Sequence, residues 1–351
     1  MPSVQAPSKV LVTGASGYIA AHVCKILLEH GFPVVGTGAF GLGEYLRELF
    51  ADFKPKFTFV VVDDIVKAGC FDDAVKGVDA VIHTASPFHL RADDPQEVIV
   101  PAVQGTIGIL ESILKYGPDV RRVVITSSVA AITSPKDKPY IFTEDDWNTY
   151  SPALIEKEGR AANGSQKYRA SKALSERAAW EFFKKNQLSI NFDLVTINPT
   201  LVYGPPIHEV PSLEHLNESV AQLYNHISQP RTKEVILGVP GTGNWVDVRD
   251  AALAHVLALE LEQASGQRFI LSNGVYTVQK IYDSLREAGV PGVPIGYPGE
   301  DTYDKHNTED GSKATRVLGV KYRSLKDSAA DTINAIRQRF MAPLTPVPLC
   351  K

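Results

Sequence analysis

A glycine-rich turn wedged between two different periodicities narrows the fold of this chain more than any other feature. Residues 9–13 form a short β-branched run, Gly14-Ala15-Ser16-Gly17 follows at once, and Ile19, Val23, Ile26 and Leu27 then recur at helical spacing up to Gly31. That pattern is strand, tight turn, helix. The alternation repeats, with strands expected at 34–37, 57–62, 80–83 and 123–127 and helices at 45–50, 71–75 and 98–116. A long helix over about 165–186 leads to a further strand at 192–198. Strands separated by helices predict a parallel sheet covered on both faces.

The fold class is therefore α/β, a doubly wound Rossmann-type sheet, with a smaller C-terminal substrate lobe. Residues 1–200 are expected to form the first domain, with 243–272 returning to it through a helix at 250–261 and a strand at 269–271. The lobe takes 201–242 and 273–351. It includes a Pro- and His-rich segment at 203–240 with one helix near 216–227, a loop-rich stretch at 289–309, a terminal helix at 326–339 and a Pro-rich tail. No internal repeat is visible.

The turn's chemistry follows from its backbone. Gly14-x-x-Gly17-x-x-Ala20, placed after a strand, aims N–H groups and a helix N-terminus at one point, where a diphosphate can sit. Gly14, Ser16, Gly17, Tyr18 and Ile19 are assigned to that contact, and small Ala20 lets the helix lie close to the sheet. Asp63-Asp64-Ile65, ending the third strand, is a candidate for the adenine edge, with Asp64 and Ile65 assigned to that contact; a solvated acidic turn accounts for the segment equally well. Thr84, Ala85 and Ser86 close the fourth strand at the edge where such sheets bind ligands, while His83 beside them is expected to be structural.

Tyr-x-x-x-Lys occurs three times, at Tyr168/Lys172, Tyr276/Lys280 and Tyr322/Lys326. Only the first lies between a serine-tipped strand, Thr126-Ser127-Ser128, and the apolar run 192–197. A free phenol, with pKa near about 10, is poorly matched to proton transfer at neutral pH. Lys172, one helical turn from Tyr168, is expected to bring a cation within about 4 Å and stabilise the phenolate. Ser128 can hydrogen-bond a carbonyl oxygen within reach of that phenol.

A net charge of −4 without a basic stripe excludes nucleic acid and anionic membrane as natural partners. Apolar stretches such as 120–132 are interrupted well before the roughly 18 residues of a membrane span. Residues 1–8 lack a secretory pattern, so a soluble, cytoplasmic protein is expected. Cys24, Cys70 and Cys350 have neither metal-ligand nor disulfide spacing, which suits a reducing compartment, and no metal site is expected.

With these residues in hand, the chain resembles the extended short-chain dehydrogenases/reductases. It is most similar to their fungal methylglyoxal- and ketone-type carbonyl reductase branch, with plant dihydroflavonol and cinnamoyl-CoA reductases as cousins. The resemblance runs over about 9–339. It is carried by Val12-Thr13-Gly14-Ala15-Ser16-Gly17-Tyr18-Ile19-Ala20, His83-Thr84-Ala85-Ser86-Pro87-Phe88, Thr126-Ser127-Ser128, Tyr168 to Lys172, Asn198-Pro199-Thr200-Leu201-Val202-Tyr203-Gly204-Pro205 and Trp245-Val246-Asp247-Val248-Arg249-Asp250. It implies a catalytic set of Ser128, Tyr168 and Lys172, with Lys172 also anchoring the cofactor ribose and Ser128 rather than Ser127 facing the carbonyl. It further implies a nicotinamide pocket lined by Pro199 and Val202, and substrate near Phe88, Tyr203 and Trp245 as well as Ser128 and Tyr168.

Two departures matter. Relatives that use NADPH place an Arg after the second strand to pair with the 2′-phosphate. Here the segment is Gly36-Thr37-Gly38-Ala39-Phe40-Gly41-Leu42-Gly43, with no Lys or Arg between Lys25 and Arg47. NADP(H) is the expected cofactor, with NAD(H) or dual use as the alternative because Ala39 stands where the Arg is expected. Backbone donors of the 38–43 loop are expected to receive the phosphate in its stead. The second departure is Gln104 where many members place Asn. The expected activity is NAD(P)H-dependent reduction of a small hydrophobic aldehyde or ketone, suited to the apolar Val129-Ala130-Ala131-Ile132 after Ser128, by a monomer or weak homodimer. The rivals are a nucleotide-sugar epimerase or dehydratase and a non-catalytic dinucleotide sensor.

Overall fold

In the computed structural model, which describes residues 3–86, 92–137, 139–238, 243–300 and 307–341, the opening strand–turn–helix is realised directly. Strand β1 (Val10–Thr13) runs into α1 (Tyr18–Glu29), and the alternation continues through β2 (Val34–Gly38), α2 (Leu42–Leu49), β3 (Phe57–Val61), β4 (Ala80–His83), α3 (Gln96–Tyr116) and β5 (Arg122–Thr126). A short β6 (Ile141–Phe142) and α4 (Tyr150–Glu158) precede the long α5 (Gly164–Asn186), which delivers the chain to β7 (Asp193–Pro199). Then come β8 (Leu201–Tyr203), α6 (Glu218–Ser228), α7 (Lys233–Ile236), β9 (Gly243–Asp247), α8 (Val248–Glu260), β10 (Arg268–Leu271), β11 (Val275–Tyr276), α9 (Val278–Glu287), β12 (Thr308–Glu309) and α10 (Leu325–Phe340).

Seven strands form one sheet in the order β10-β7-β5-β4-β1-β2-β3, every neighbouring pair parallel. Their apolar runs are continuous because both faces are buried. Leu11, Val81, Val123 and Leu194 point to one face and pack with Ile109 and Ile113 of α3. Val10, Val12, Ile82, Val124 and Val195 point to the other and meet Val23 and Leu27 of α1 and Ala251 and Val256 of α8. The strand order reverses at β1, with β2 and β3 on one side and β4 and β5 on the other. In such sheets the crevice for a ligand opens beyond the carboxyl ends of the strands at that reversal.

A separate three-stranded sheet, β11-β9-β8, carries the aromatic cluster Tyr203, Trp245 and Tyr276 against Ile281 and Leu285 of α9 and Ile333 of α10. Helix α9 was not anticipated, although its signal is present: Thr277 caps it by accepting from the Lys280 amide at 3.0 Å, and Val278, Ile281, Tyr282 and Leu285 are its buried stripe.

Two expectations are corrected. Residues 71–75 are not a helix but part of a run of turns over 65–77. Gly69 and Gly77, at φ +73° and +64°, bracket the segment. That leaves room for little more than the bond from the Val75 amide to the Phe71 carbonyl, although both side chains are buried. Apolar length was also underestimated. Helix α3, 21 residues long with a mean hydropathy of 1.4 over its most apolar 18, is long and apolar enough to cross a membrane, yet it lies across α5 with Val98, Ala102, Ile109, Leu110 and Ile113 buried in the protein.

Candidate active site

The site begins where β1 ends. The Thr13 hydroxyl accepts from the amides of Thr84 and Ala85 at 3.1 and 3.2 Å and lies 2.8 Å from His83 Nδ1, while the Thr84 hydroxyl donates to the Thr13 carbonyl. These bonds lock the ends of β1 and β4 side by side. They also give His83 its structural task, and burial pushes its pKa down to about 3, so it stays neutral. Gly14 takes φ +64°, and a Cβ there would stand 3.0 Å from the Ala85 backbone. The crevice is thus kept open by the missing side chain.

Beyond it, α1 starts at Gly17 with no side-chain cap and no acidic residue in its first turn. Its free first-turn amides, those of Tyr18 and Ile19 among them, suit an anion. The Tyr18 side chain itself points away and donates to the Gly204 carbonyl at 2.8 Å, tying α1 to the segment after β8. A dinucleotide diphosphate therefore fits the residues present.

Ser128 stands just past β5 and accepts from the Ala130 amide at 3.1 Å, which fixes its hydroxyl. Helix α5, capped by Asn163 accepting from the Gln166 amide at 3.0 Å, brings Tyr168 beside Ser128. Burial raises the Tyr168 pKa, opposed by the Ser128 hydrogen bond and the Arg169 charge. Lys172 lies one helical turn further along α5. Its ammonium is 6.0 Å from the Tyr168 ring centre and donates to Ser86 Oγ at 3.2 Å, so its main contact is the end of β4. Burial lowers Lys172 to about 8, partly offset by Glu176.

Glu176 was missed from sequence. It lies on the same helical stripe as Tyr168 and Lys172, at i+8 and i+4, which was the available signal. Its buried carboxylate accepts from Ser127 Oγ, from Thr196 Oγ1 at 3.1 Å, from Asn198 Nδ2 at 2.7 Å and from Arg268 Nε at 2.7 Å. Asn198 also donates to the Ser128 carbonyl at 3.2 Å. The paired serines are thereby separated: Ser127 is tied into a buried network, and Ser128 meets the phenol. Pro199 follows Asn198 at the end of β7, and Val202 is buried in β8 opposite Val246.

At the far end of the crevice, Ala39 follows β2. The Phe40 amide donates to Asp63 Oδ1 at 2.7 Å, and the Leu42 amide is turned to the Ala39 carbonyl at 3.3 Å. The expectation that this loop offers free backbone donors therefore fails for both. Asp64 Oδ1 closes a local turn by accepting from Val66 N at 2.9 Å, and Ile65 packs against Gly105.

Of the expected substrate residues, Phe88 lies outside the described residues. Tyr203 and Trp245, at 0% and 2% exposure, are packed into the aromatic core of the smaller sheet, with ring centres 6.4 Å apart, so they present no surface to a substrate here. Their aromatic bulk is used for packing β8 and β9 on α9. No cluster of metal-ligating side chains is found among the described residues.

Residues 10–272 match the NAD dependent epimerase/dehydratase family. Over most of its length the chain is similar to ketoreductase azaE of Aspergillus niger, at 37% identity over 94% of this chain and 98% of that one. It is likewise similar to the NADPH-dependent methylglyoxal reductase GRE2 of Saccharomyces cerevisiae, at 37% over 93% and 97%. The crystal structure of yeast methylglyoxal/isovaleraldehyde reductase Gre2 complexed with NADPH superposes with a TM-score of 0.83 at 34% identity, covering 94% of this chain and 98% of that one.

Proposed function

The chain belongs to the NAD dependent epimerase/dehydratase family of extended short-chain dehydrogenases/reductases, and within it we propose that it is an NAD(P)H-dependent reductase of small aldehydes and ketones. The observation that carries this reading is the grouping of Ser128, Tyr168 and Lys172 at the carboxyl edge of the sheet, with Lys172 bonded to Ser86 beside the Gly14 crevice. The amides of the 14–19 turn would hold the diphosphate of the dinucleotide, Asp64 and Ile65 its adenine, and Thr84–Ser86, Pro199 and Val202 its nicotinamide end. When bound, the reduced nicotinamide supplies a hydride to the carbonyl carbon.

Ser128 holds the carbonyl oxygen, and Tyr168 gives its phenolic proton to that oxygen as negative charge develops on it. Lys172 anchors the ribose together with Ser86 and leaves a positive charge on the deep side of the phenol. Following the absorbance of the reduced nicotinamide with a panel of ketones tests the reading. Consumption of cofactor only when a carbonyl is present supports it, and no consumption with any of them contradicts it. The substrate lobe is the β8-β9-β11 sheet with α6, α7, α9 and α10; of 243–272, expected to return to the first domain, α8 and β10 do so, but β9 pairs with β8 and β11 instead.

Separate alanine substitutions of the two serines are expected to differ in kind. Ser128→Ala should lower kcat by about a hundredfold or more, the cost of removing one donor to a developing oxyanion. Ser127→Ala should instead lower the denaturation midpoint, because it takes a donor from buried Glu176. Equal losses of kcat in stopped-flow turnover contradict the assignment.

The pH profile carries a second expectation. Lys172 is charged below about 8 and neutral above it. Its cation is needed, so kcat/KM for reduction should fall as pH rises through about 8. Histidines 22, 83, 208, 226 and 255 are all pushed down by burial to about 3 or 4 and should add no limb near neutrality. A profile that stays flat well above that pH counts against Lys172.

A further inference from the structure

We propose that Asp63 is a cofactor-specificity residue, its carboxylate placed at the end of β2 to favour free ribose hydroxyls over a 2′-phosphate; this rests on the dinucleotide reading above. In doubly wound sheets the residues just after the second strand meet the adenosine ribose. An acid there accepts from the hydroxyls, and an Arg there pairs with the phosphate. This chain has neither in β2 itself. The acid arrives from the neighbouring strand.

The geometry is continuous. Gly38 of β2 is in register with Val61 of β3, and the Val62 amide donates to the Gly38 carbonyl at 2.9 Å, so Asp63 emerges beside Ala39. Its Oδ1 then accepts from the Phe40 amide at 2.7 Å. The same strand end touches the glycine turn: the Ala15 amide donates to the Thr37 carbonyl at 2.7 Å, and a Cβ on Gly38 would lie 3.2 Å from Ser16 Oγ. The carboxylate therefore stands one residue beyond the diphosphate cradle.

Two effects act against a 2′-phosphate. The Phe40 amide is already engaged, and like charge meets like charge. Among the described residues no ion pair reaches Asp63, and Arg47, the next cation in sequence after Lys25, has its guanidinium 6.0 Å from the Phe59 ring. Because Asp63 is exposed to water, screening limits the penalty to about tenfold in affinity. Asp63 thus narrows or reverses the NADPH preference that the names of similar proteins carry.

Calorimetric titration of the full chain with 5′-AMP and with adenosine 2′,5′-bisphosphate tests this without turnover. The unmodified protein should bind the bisphosphate no more tightly than 5′-AMP. Asp63→Asn, which keeps an acceptor for the Phe40 amide and loses the charge, should tighten the bisphosphate about tenfold and change 5′-AMP by less than about threefold. Asp63→Ala, which also frees the amide, should tighten it at least as much, and Ala39→Arg should do so by adding a cation. If both ligands shift together in the Asp63 variants, or neither shifts, the proposal is overturned while the dinucleotide reading stands. If the unmodified protein binds neither ligand, both fall.

Discussion

Tyr168→Phe is expected to lower kcat for carbonyl reduction by about a thousandfold or more while leaving the dissociation constant for dinucleotide within about threefold of its original value. The substitution removes one oxygen. That oxygen is the proton donor and the partner of Ser128, whereas the ring and the helix face that carry it remain. Among the described residues, His83 is neutral and bonded to Thr13, and the Lys172 ammonium is turned to Ser86, so neither replaces it. Tyr276→Phe and Tyr322→Phe provide internal controls. Tyr276 packs its ring 5.4 Å from Tyr203 in the smaller sheet, and the Tyr322 hydroxyl donates to the Gly311 carbonyl at 3.4 Å, so both variants should turn over normally. A Tyr276→Phe loss matching that of Tyr168→Phe means the site has been placed at the wrong motif.

The second large effect lies at the opposite edge of the sheet. Arg122, which opens β5, is fully buried and forks onto Asp193, which opens β7, through Nε at 2.7 Å and Nη2 at 2.8 Å. Its Nη1 donates to the carbonyls of Ala258, Leu259 and Leu261 at 2.8, 3.2 and 2.6 Å. One guanidinium thus satisfies the neighbouring strand and the end of α8. Arg122→Met strands a buried carboxylate and three carbonyls, and a loss of about 3–5 kcal/mol in unfolding free energy is expected. Equilibrium denaturation measures it. KM and kcat of the fraction that stays folded should be unchanged, because no atom of this cluster reaches the carboxyl edge. A shift in KM with intact stability contradicts that division between a structural and a chemical edge.

Local signals carried most of the fold. The turn at Gly14 and the cap and stripe of α5 are short-range patterns, and strand and helix positions in the first half agree to within a few residues. The seven-stranded order was legible only as alternation, because which strand lies beside which is decided by crossovers rather than by any single segment. Residues 71–75 misled because two buried apolar side chains at helical spacing pack a turn as well as a helix. The pairing of β6 with β12 joins residues far apart in the chain, and two-residue strands leave no periodicity to find.

At the site, Tyr168 and Ser128 could be named because they sit in ordered motifs. Glu176 could not be assigned a task, and Asp63 only the adenine edge together with Asp64 and Ile65, since each acts on a group that only the folded sheet brings near. Tyr203 and Trp245 show the converse: their motifs are recognisable, but they serve packing.

The most direct test of the account is the stoichiometry of turnover, with reduced cofactor consumed and alcohol formed measured in one reaction on a small apolar ketone. A carbonyl reductase with Tyr168 as its proton donor makes one alcohol for each cofactor oxidised, and the Tyr168→Phe protein makes neither while still binding the dinucleotide. If the chain instead interconverts nucleotide sugars with no net consumption of cofactor and leaves every simple carbonyl untouched, the proposed reductase activity is wrong.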